Sequence, residues 1–315
     1  MTFSNLPTAH DLARMSLAAQ HPLSLDWCPE AVRLDGLEEE HAFDLQLATD
    51  RELAQGRAGQ MALGHPAEAY LNRWLTARGD LQAMLSIRFE GGNPERPFVD
   101  ASVTSRPLTF ADLPALSEAA RQTYAAFQVP RLRFWSPLPM QGARSAFVDA
   151  SPDMRVLAAP LSDLRDREVP AGLSLRPTRD ATHLPRAASA YAQIDTLHPA
   201  HVEQARLIDE DTLAEAIAAG TMFDVLWQGE WSGYAGTLPE TQLGLPAQVV
   251  QELLLAPHAR GQGLGTFLST LLARHLPDDG RVLSGTIHAQ NRGSLQAATR
   301  ADRHDLGGWW FTPLA

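Results

Sequence analysis

One stretch, residues 248–266, constrains the fold of this chain more than any other. An apolar run rich in valine and leucine, residues 249–255, is followed by Pro257 and by a loop with glycine at alternate positions. An apolar pattern with helical spacing then covers residues 266–275. The stretch therefore predicts a strand, a tight glycine-rich loop and a helix, in that order.

The loop, Arg260-Gly261-Gln262-Gly263-Leu264-Gly265, is suited to binding an anion. Glycine adopts positive φ and lets the backbone approach a ligand without a Cβ in the way. The first N–H groups of the following helix lack intrahelical partners and lie at the positive end of the helix dipole. Glycine-rich turns also join strands to helices without any ligand, and this loop has neither the GxGxxG spacing nor the Lys-Ser/Thr of a P-loop. A phosphate ligand is thus favoured over a nucleotide bound in the P-loop manner.

The segment resembles the acyl-CoA loop of the GNAT superfamily of N-acyltransferases, Gln/Arg-x-x-Gly-x-Gly/Ala after the fourth strand. Leu254, Pro257 and Arg260 precede the glycines with the spacing typical of that family. The resemblance covers residues 173–315, starting with an alternating apolar strand that ends in Arg176-Pro177. It implies an α/β fold with a mixed, mostly antiparallel sheet flanked by helices.

The same resemblance implies a set of ligand-binding residues. In GNAT enzymes the fourth and fifth strands splay apart, and the pantetheine arm of the acyl-CoA cosubstrate lies between them. A backbone N–H of the fourth strand polarises the thioester carbonyl. Asn291 matches the asparagine that follows the fifth strand, close to the CoA thiol. The residues expected to bind acetyl-CoA are Leu253, Leu254, Leu255, Arg260, Gly261, Gln262, Gly263, Leu264, Gly265, Thr266 and Asn291.

The residues expected to catalyse the reaction are fewer. Glu252 is the only acid on the predicted fourth strand and could take the amine's proton through water; the alternative is a structural glutamate at the strand edge or in a salt bridge. Many GNAT enzymes place a tyrosine about seven residues past the asparagine to protonate the leaving thiolate, and here that position is Ala298. Ser294 or water could substitute. The Gly-Phe that usually follows this helix is replaced by Asp302-Arg303.

The composition restricts the possible partners. The 315 residues carry a net charge of −11, a pI near 5.4 and 26 basic residues that are all arginine. Such an acidic chain is a poor match for nucleic acid and suits a cationic amine better. Cys28 is the single cysteine, residues 1–11 lack a signal-peptide pattern, and no apolar run approaches a membrane span. We expect a cytoplasmic protein, a monomer or homodimer, without membrane or nucleic-acid partners.

The N-terminal half resembles the family less clearly than the C-terminal half. At about 150 residues per domain the length predicts two domains, which we place at residues 1–165 and 166–315, with a linker over 160–172. The order strand, turn, strand, helix, strand in the first half parallels the second. Residues 104–109, Thr-Ser-Arg-Pro-Leu-Thr, stand where the glycines should be. The first domain is either a degenerate GNAT-like repeat or an unrelated α/β cap.

Several elements are expected from local periodicity. Residues 81–89 and 97–105 predict a hairpin, and residues 222–227 and 231–238 predict another. The apolar spacing also predicts helices over residues 38–56, 67–78, 110–128, 181–193 and 201–219. A loop is expected over residues 137–151.

The sequence therefore predicts an acetyl-CoA-dependent N-acetyltransferase in which a small amine attacks the thioester directly. The alternative is a non-catalytic acyl-CoA-binding or regulatory protein that kept the loop and lost the chemistry. No metal site is expected, because His198 and His201 have no other ligand at suitable spacing. His288, at the end of the fifth strand, could face a substrate or be a hydrogen-bonded structural residue.

Overall fold

The computed structural model of the protein describes residues 5–314. The chain forms two compact units, one of residues 1–153 and 306–315 and the other of residues 154–305. The sequence-based boundary at residue 165 stays a prediction about independent domains, whereas the compact units divide at 153/154 and again at 305/306. Most of the last strand, from Leu306 onward, is thus part of the first unit.

The first unit has a five-stranded sheet. Its strands are β1 (Arg73–Arg78), β2 (Leu81–Phe89), β3 (Pro97–Thr104), β4 (Arg131–Ser136) and β11 (His304–Pro313), in the order β1-β2-β3-β4-β11. All neighbours are antiparallel except β3 and β4, which are parallel over three residue pairs. The helices of this unit are α1 (Ala9–Ala18), α2 (Glu30–Thr49), α3 (Arg51–Met61), α4 (Leu113–Thr123) and α5 (Met140–Ala146).

In the segment between β3 and α4, a carboxylate of the protein itself lies where a bound anion would be expected. Arg106 forms two hydrogen bonds to the carboxylate of Asp112, at 2.9 and 2.8 Å, and the backbone N–H of Thr109 donates to the same carboxylate at 2.9 Å. These interactions hold the pKa of Asp112 well below its usual range, with the Arg106 hydrogen bonds as the main cause. A phosphate would have to displace this carboxylate, so the position that parallels the glycine loop is not built for one.

The second unit has a six-stranded sheet. Its strands are β5 (Ser151–Pro160), β6 (Leu173–Pro177), β7 (Met222–Trp227), β8 (Glu230–Gln242), β9 (Leu245–Leu255) and β10 (Val282–His288), in the order β5-β10-β9-β8-β7-β6. Only β9 and β10 are parallel. The helices are α6 (Leu184–Leu197), α7 (Glu210–Ala218), α8 (Leu268–His275) and α9 (Arg292–Arg300). The expected mixed, mostly antiparallel sheet flanked by helices is confirmed.

Two apolar clusters cover opposite faces of this sheet. Leu264, Leu268 and Leu272 pack with Leu283 and the partly buried Leu253 on the α8 face. On the α6 face, Ala190 and Ile194 of α6 and Leu213 of α7 pack with Leu254. Leu253 and Leu254 are adjacent on β9, so they face opposite clusters as strand geometry requires. Residues along β9 therefore alternate between two separate environments.

Four local expectations were wrong. Residues 67–78 form a short 3-10 turn and β1, because pairing of β1 with β2 across the tight turn at Gly79 overrides the helical spacing. The expected 137–151 loop contains α5, which buries Ala143. Asp50 interrupts the expected 38–56 helix, since its extended backbone and side chain cap α3. Asp209 likewise caps α7, so the expected 201–219 helix begins only at Glu210.

No helix within residues 5–314 is long and apolar enough to cross a membrane.

Candidate functional site

The parallel strands β9 and β10 separate part-way along their length. Their register covers Ala247 to Val249 on β9 and Val282 to Ser284 on β10, and then stops. Beyond this point residues 250–255 remain paired with β8 on one side only. A β-bulge at Gln251, where Gly236 pairs with Glu252 but Thr237 pairs with Val250, adds a further irregularity. The splayed ends leave backbone donors and acceptors of β9 facing an opening.

A cavity of about 1060 Å³ occupies this opening. Its walls are the splayed ends of β9 and β10, the glycine loop, the start of α9 and the segment that follows α6. All residues predicted to bind the cosubstrate or to catalyse the reaction line it, except Gln262, whose exposed side chain donates to the carbonyl of His258 at 2.9 Å. The fold thus brings residues that are dispersed in the sequence around one cavity, while the role of each stays a prediction.

The loop presents unpaired backbone donors. Gly261 and Gly263 have φ of +73° and +76°, in the left-handed region, and a short 3-10 turn, Leu264–Phe267, leads into α8. Thr266 closes the loop because both its N–H and its hydroxyl donate to the carbonyl of Gly263. In the described part of the chain, no backbone N–H of residues 261–265 donates to a protein acceptor. Such a row of donors suits a phosphate.

The cavity is positively charged, although the chain as a whole is acidic. Glu252 is its only acid among the described residues. Burial lowers the pKa of Arg260, whose guanidinium donates to the carbonyl of Leu255. A concentration of cations in a concave site raises the local concentration of anions. Five arginines line the cavity: Arg206, Arg260, Arg292, Arg300 and Arg303.

The N-terminus of α9 has the geometry expected from the sequence. Asn291 is the N-cap, and its side-chain oxygen accepts the backbone N–H of Ser294 at 3.1 Å. Its amide NH₂ group donates to none of the residues that the structure describes and is available to a ligand in the cavity. Ser294 is exposed, and its hydroxyl forms no hydrogen bond with the described residues. Ala298 is buried one turn farther along, so no hydroxyl stands at the position where many GNAT enzymes have tyrosine.

Glu252 lies on the α6 face and is 4% exposed. The hydroxyl of Tyr191 donates to its two oxygens at 3.0 and 3.2 Å, and the backbone N–H of Ile208 donates to one of them at 3.2 Å. Burial raises the pKa of Glu252 to about 7, against the lowering effect of these donors. A carboxyl group with this pKa can exchange a proton near neutral pH, which an ordinary glutamate does poorly. Tyr191 is a residue that sequence reasoning did not assign, because only the fold brings α6 against β9.

Tyr191→Phe is expected to raise the pKa of Glu252 further. The Tyr191 hydroxyl stabilises the charged carboxylate, so its removal favours the protonated form. Carbon-13 NMR titration of the labelled glutamates should show the Glu252 resonance titrating near pH 7 in the parent and at higher pH in the variant. The resonance of Glu230, which is exposed at a hairpin, serves as the internal reference. An unchanged Glu252 midpoint would show that the hydroxyl does not control this carboxylate.

A second polar pair lies next to Tyr191. Nδ1 of His201 is 2.7 Å from Oδ1 of Asp195, and the rings of His201 and Tyr191 lie 5.6 Å apart between centroids. His198 and His288 also line the cavity. Within residues 5–314, no group of three or more His, Cys, Asp or Glu side chains is arranged to hold a metal ion.

No protein-family profile matches the sequence, and no curated protein is detectably similar to it. Solved structures do resemble it. The GCN5-related N-acetyltransferase from Sphaerobacter thermophilus is 12% identical, with a TM-score of 0.49, over 97% of this chain and 92% of its own. An acetyltransferase of the GNAT family from Colwellia psychrerythraea is 11% identical, with a TM-score of 0.48, over 83% and 96%.

A tandem GNAT protein from the clavulanic acid biosynthesis pathway is 16% identical, with a TM-score of 0.41, over 85% of this chain and 97% of its own. Several of the structural neighbours are named as GNAT-family acetyltransferases. At these identities the likeness concerns the fold alone.

Proposed function

We propose that this protein is a GNAT-type acyl-CoA-dependent N-acyltransferase, in the simplest case an acetyltransferase that acts on a small amine. The observation that carries the proposal is the combined geometry of β9, β10 and the glycine loop. A strand with an unpaired edge runs directly into a loop with five unpaired N–H groups, and both line one arginine-rich cavity. This combination suits a ligand with a phosphate end and an amide-containing arm.

Coenzyme A fits these residues in two parts. The N–H groups of residues 261–265 would bind its pyrophosphate, with charge-assisted hydrogen bonds of about 1.5–3 kcal/mol each. The free edge of Leu253, Leu254 and Leu255 would pair with the amides of the pantetheine arm, as another strand would. The amide of Asn291 reaches the cavity from the other wall. When bound, acyl-CoA supplies an activated thioester.

Glu252, on the α6 face of β9, is our candidate for the proton acceptor. An alkyl amine with a pKa near 10 is mostly protonated at pH 7, and deprotonating it costs about 4 kcal/mol. A carboxylate whose pKa is raised to about 7 is a stronger base than an ordinary glutamate, and it is still largely charged slightly above neutral pH. We therefore assign Glu252 as general base, directly or through water, with Tyr191 orienting it.

Ser294 remains a candidate to hydrogen-bond the departing sulfur, since its hydroxyl lies at the wall of the cavity and has no partner among the described residues. The alternative hypothesis is that the protein binds acyl-CoA without catalysing a reaction. Ala298 favours that reading because it removes the usual acid. The buried, basic Glu252 favours the enzyme, because a protein that only binds acyl-CoA has no need of a proton acceptor beside the thioester.

Acetyl-CoA is expected to bind the protein with one site per chain in a calorimetric titration. The free N–H groups and the arginines should make the binding salt-sensitive, since phosphate contacts are screened. Titration of acetyl-CoA into bovine albumin, which lacks this site, is the control for nonspecific heat. Absence of detectable binding in low salt would exclude both hypotheses, the acyltransferase and the non-catalytic acyl-CoA-binding protein.

A thiol-release assay then separates these two readings. The panel is polyamines, aminoglycosides, amino acids and peptide N-termini, each with acetyl-CoA and with the protein omitted as control. We expect enzyme-dependent release of CoA thiol with at least one small cationic amine. Release at the uncatalysed rate across the whole panel, in a protein that binds acetyl-CoA, would favour the binder.

A further inference from the structure

Arg303 is a buried cation without an anionic partner. It follows α9, is 2% exposed and lines the cavity. Its Nε and Nη2 both donate to the carbonyl of Leu157, at 3.1 and 2.7 Å. Nη1 forms no hydrogen bond within the described residues, and no carboxylate there forms an ion pair with Arg303. Burial alone lowers the pKa of Arg303 to about 10, so the guanidinium still carries its charge at neutral pH.

A charge in this position is costly. Transferring an ionised group into a protein interior is unfavourable by several kcal/mol unless it is paired, and buried arginines are normally matched with a carboxylate. Arg155 shows the normal case in the same unit, because it is fully buried and bonded to Asp305 at 2.6 Å. Arg303 has one carbonyl instead. An uncompensated cation at a cavity wall indicates a site for a negative charge that arrives with a ligand.

The guanidinium lies where β9 and β10 begin to separate. A Cβ on Gly285 would be 2.7 Å from Nη2 of Arg303 and 3.2 Å from the Cβ of Val250. Glycine at 285 is therefore required for Arg303 to occupy this place. Gly285 follows Ser284, the last β10 residue in register with β9. Val250 precedes the bulge at Gln251 and packs with the α8 cluster.

Glu252 and Arg303 therefore line the same cavity from opposite faces of the sheet. Glu252 contacts Tyr191 and Ile208 on the α6 face. Arg303 lies beside Val250, whose side chain belongs to the α8 face, next to the wall that the glycine loop and Ala298 form. In acyl transfer, the amine adds to one face of the planar thioester, and the sulfur then leaves from the tetrahedral adduct. A base that acts on the nitrogen and a cation that acts on the sulfur are therefore separate groups, as Glu252 and Arg303 are here.

Resting on the proposed function, we propose that Arg303 is a catalytic residue that stabilises the negative charge on the CoA sulfur as it leaves. It does so as a fixed cation and not as a proton donor. The amine nitrogen forms a bond to the acyl carbon and loses its proton to Glu252. The bond between carbon and sulfur breaks, its electron pair stays on sulfur, and Arg303 pairs with that thiolate until water protonates it. Arg303 thus takes the place of the tyrosine that many GNAT enzymes have at the position of Ala298, but it stabilises the thiolate by its charge and does not protonate it.

The test is the acidity of the CoA thiol in the complex. Thiolate ultraviolet absorbance of CoA bound to the full-length protein is titrated against pH, and the identical complex with desulfo-CoA is subtracted to remove the signal of Cys28 and the tyrosines. We expect the pKa of the bound thiol to lie at least about one unit below that of free CoA, as an adjacent cation produces. Arg303→Met should return it to the value of free CoA and lower turnover by about tenfold.

Arg303→Lys should keep part of the shift, because it keeps the charge. Arg144→Met removes the same charge from an exposed helix position and should titrate like the parent. If Arg303→Met does not fold, the pKa of the CoA thiol bound to the parent protein tests the proposal by itself. A bound thiol that titrates like free CoA would overturn the proposal for Arg303 while leaving the acyltransferase intact. Failure of CoA to bind would overturn both. An unshifted thiol, with Arg303→Met selectively weakening succinyl-CoA, would assign Arg303 to an acyl carboxylate instead.

Discussion

Glu252→Gln is expected to lower kcat/KM for the best amine in the acceptor panel by about 10²–10⁴, the usual contribution of a general base. Glutamine preserves the shape of the side chain but cannot take a proton. It also removes a buried ionisable group, so we expect the thermal unfolding midpoint to stay close to that of the parent. Acetyl-CoA affinity should stay within about twofold, because Glu252 lies on the face opposite the glycine loop.

The pH dependence gives an independent readout of the same group. The pKa of Glu252 is raised to about 7, so the basic form is scarce below this pH and dominant above it. The kcat/KM of the parent should therefore rise as pH increases through about 7, and this rise should be absent in Glu252→Gln. Glu230→Gln, a matched change at an exposed hairpin, should behave like the parent. Parental activity in Glu252→Gln would exclude Glu252 as the general base.

The local part of the site could be predicted from the sequence. A short apolar run, a glycine loop and a capped helix are each encoded within about ten residues, and their order identifies strand, loop and helix. Asn291 as N-cap of α9 illustrates this, because the cap depends only on its own side chain and the N–H three residues later. The glycines at 261 and 263 likewise have the positive φ that their residue type permits.

The electrostatic part depends on contacts between distant segments. Tyr191 meets Glu252 across 61 positions of sequence, and Arg303 meets Leu157 across 146. No periodicity encodes such pairs, so the sequence shows a glutamate on a strand but not the burial that raises its pKa. The helix predicted over residues 67–78 failed for a different, local reason: its apolar spacing is real, yet pairing of β1 with β2 across the tight turn at Gly79 decides the outcome.

Gly263→Val is expected to weaken acetyl-CoA binding at least about 100-fold. Gly263 has φ of +76° and a Cβ there would meet nothing within 4 Å, so the space around it is open toward the cavity. A branched side chain would fill the space into which the loop N–H groups point, and valine disfavours positive φ. Loss of two phosphate hydrogen bonds at about 1.5 kcal/mol each corresponds to the stated factor. Calorimetry with acetyl-CoA measures it.

The matched control is Gly280→Val. Gly280 has φ of +79°, also meets nothing within 4 Å, and lies in the turn before β10, outside the lining of the cavity. Both variants carry the same backbone strain, of order 1–2 kcal/mol, and should lose similar thermal stability. Only the change at 263 should remove binding, because only there does the side chain meet the ligand. Equal losses of affinity in the two variants would mean that backbone strain, and not phosphate contact, explains the effect of Gly263→Val.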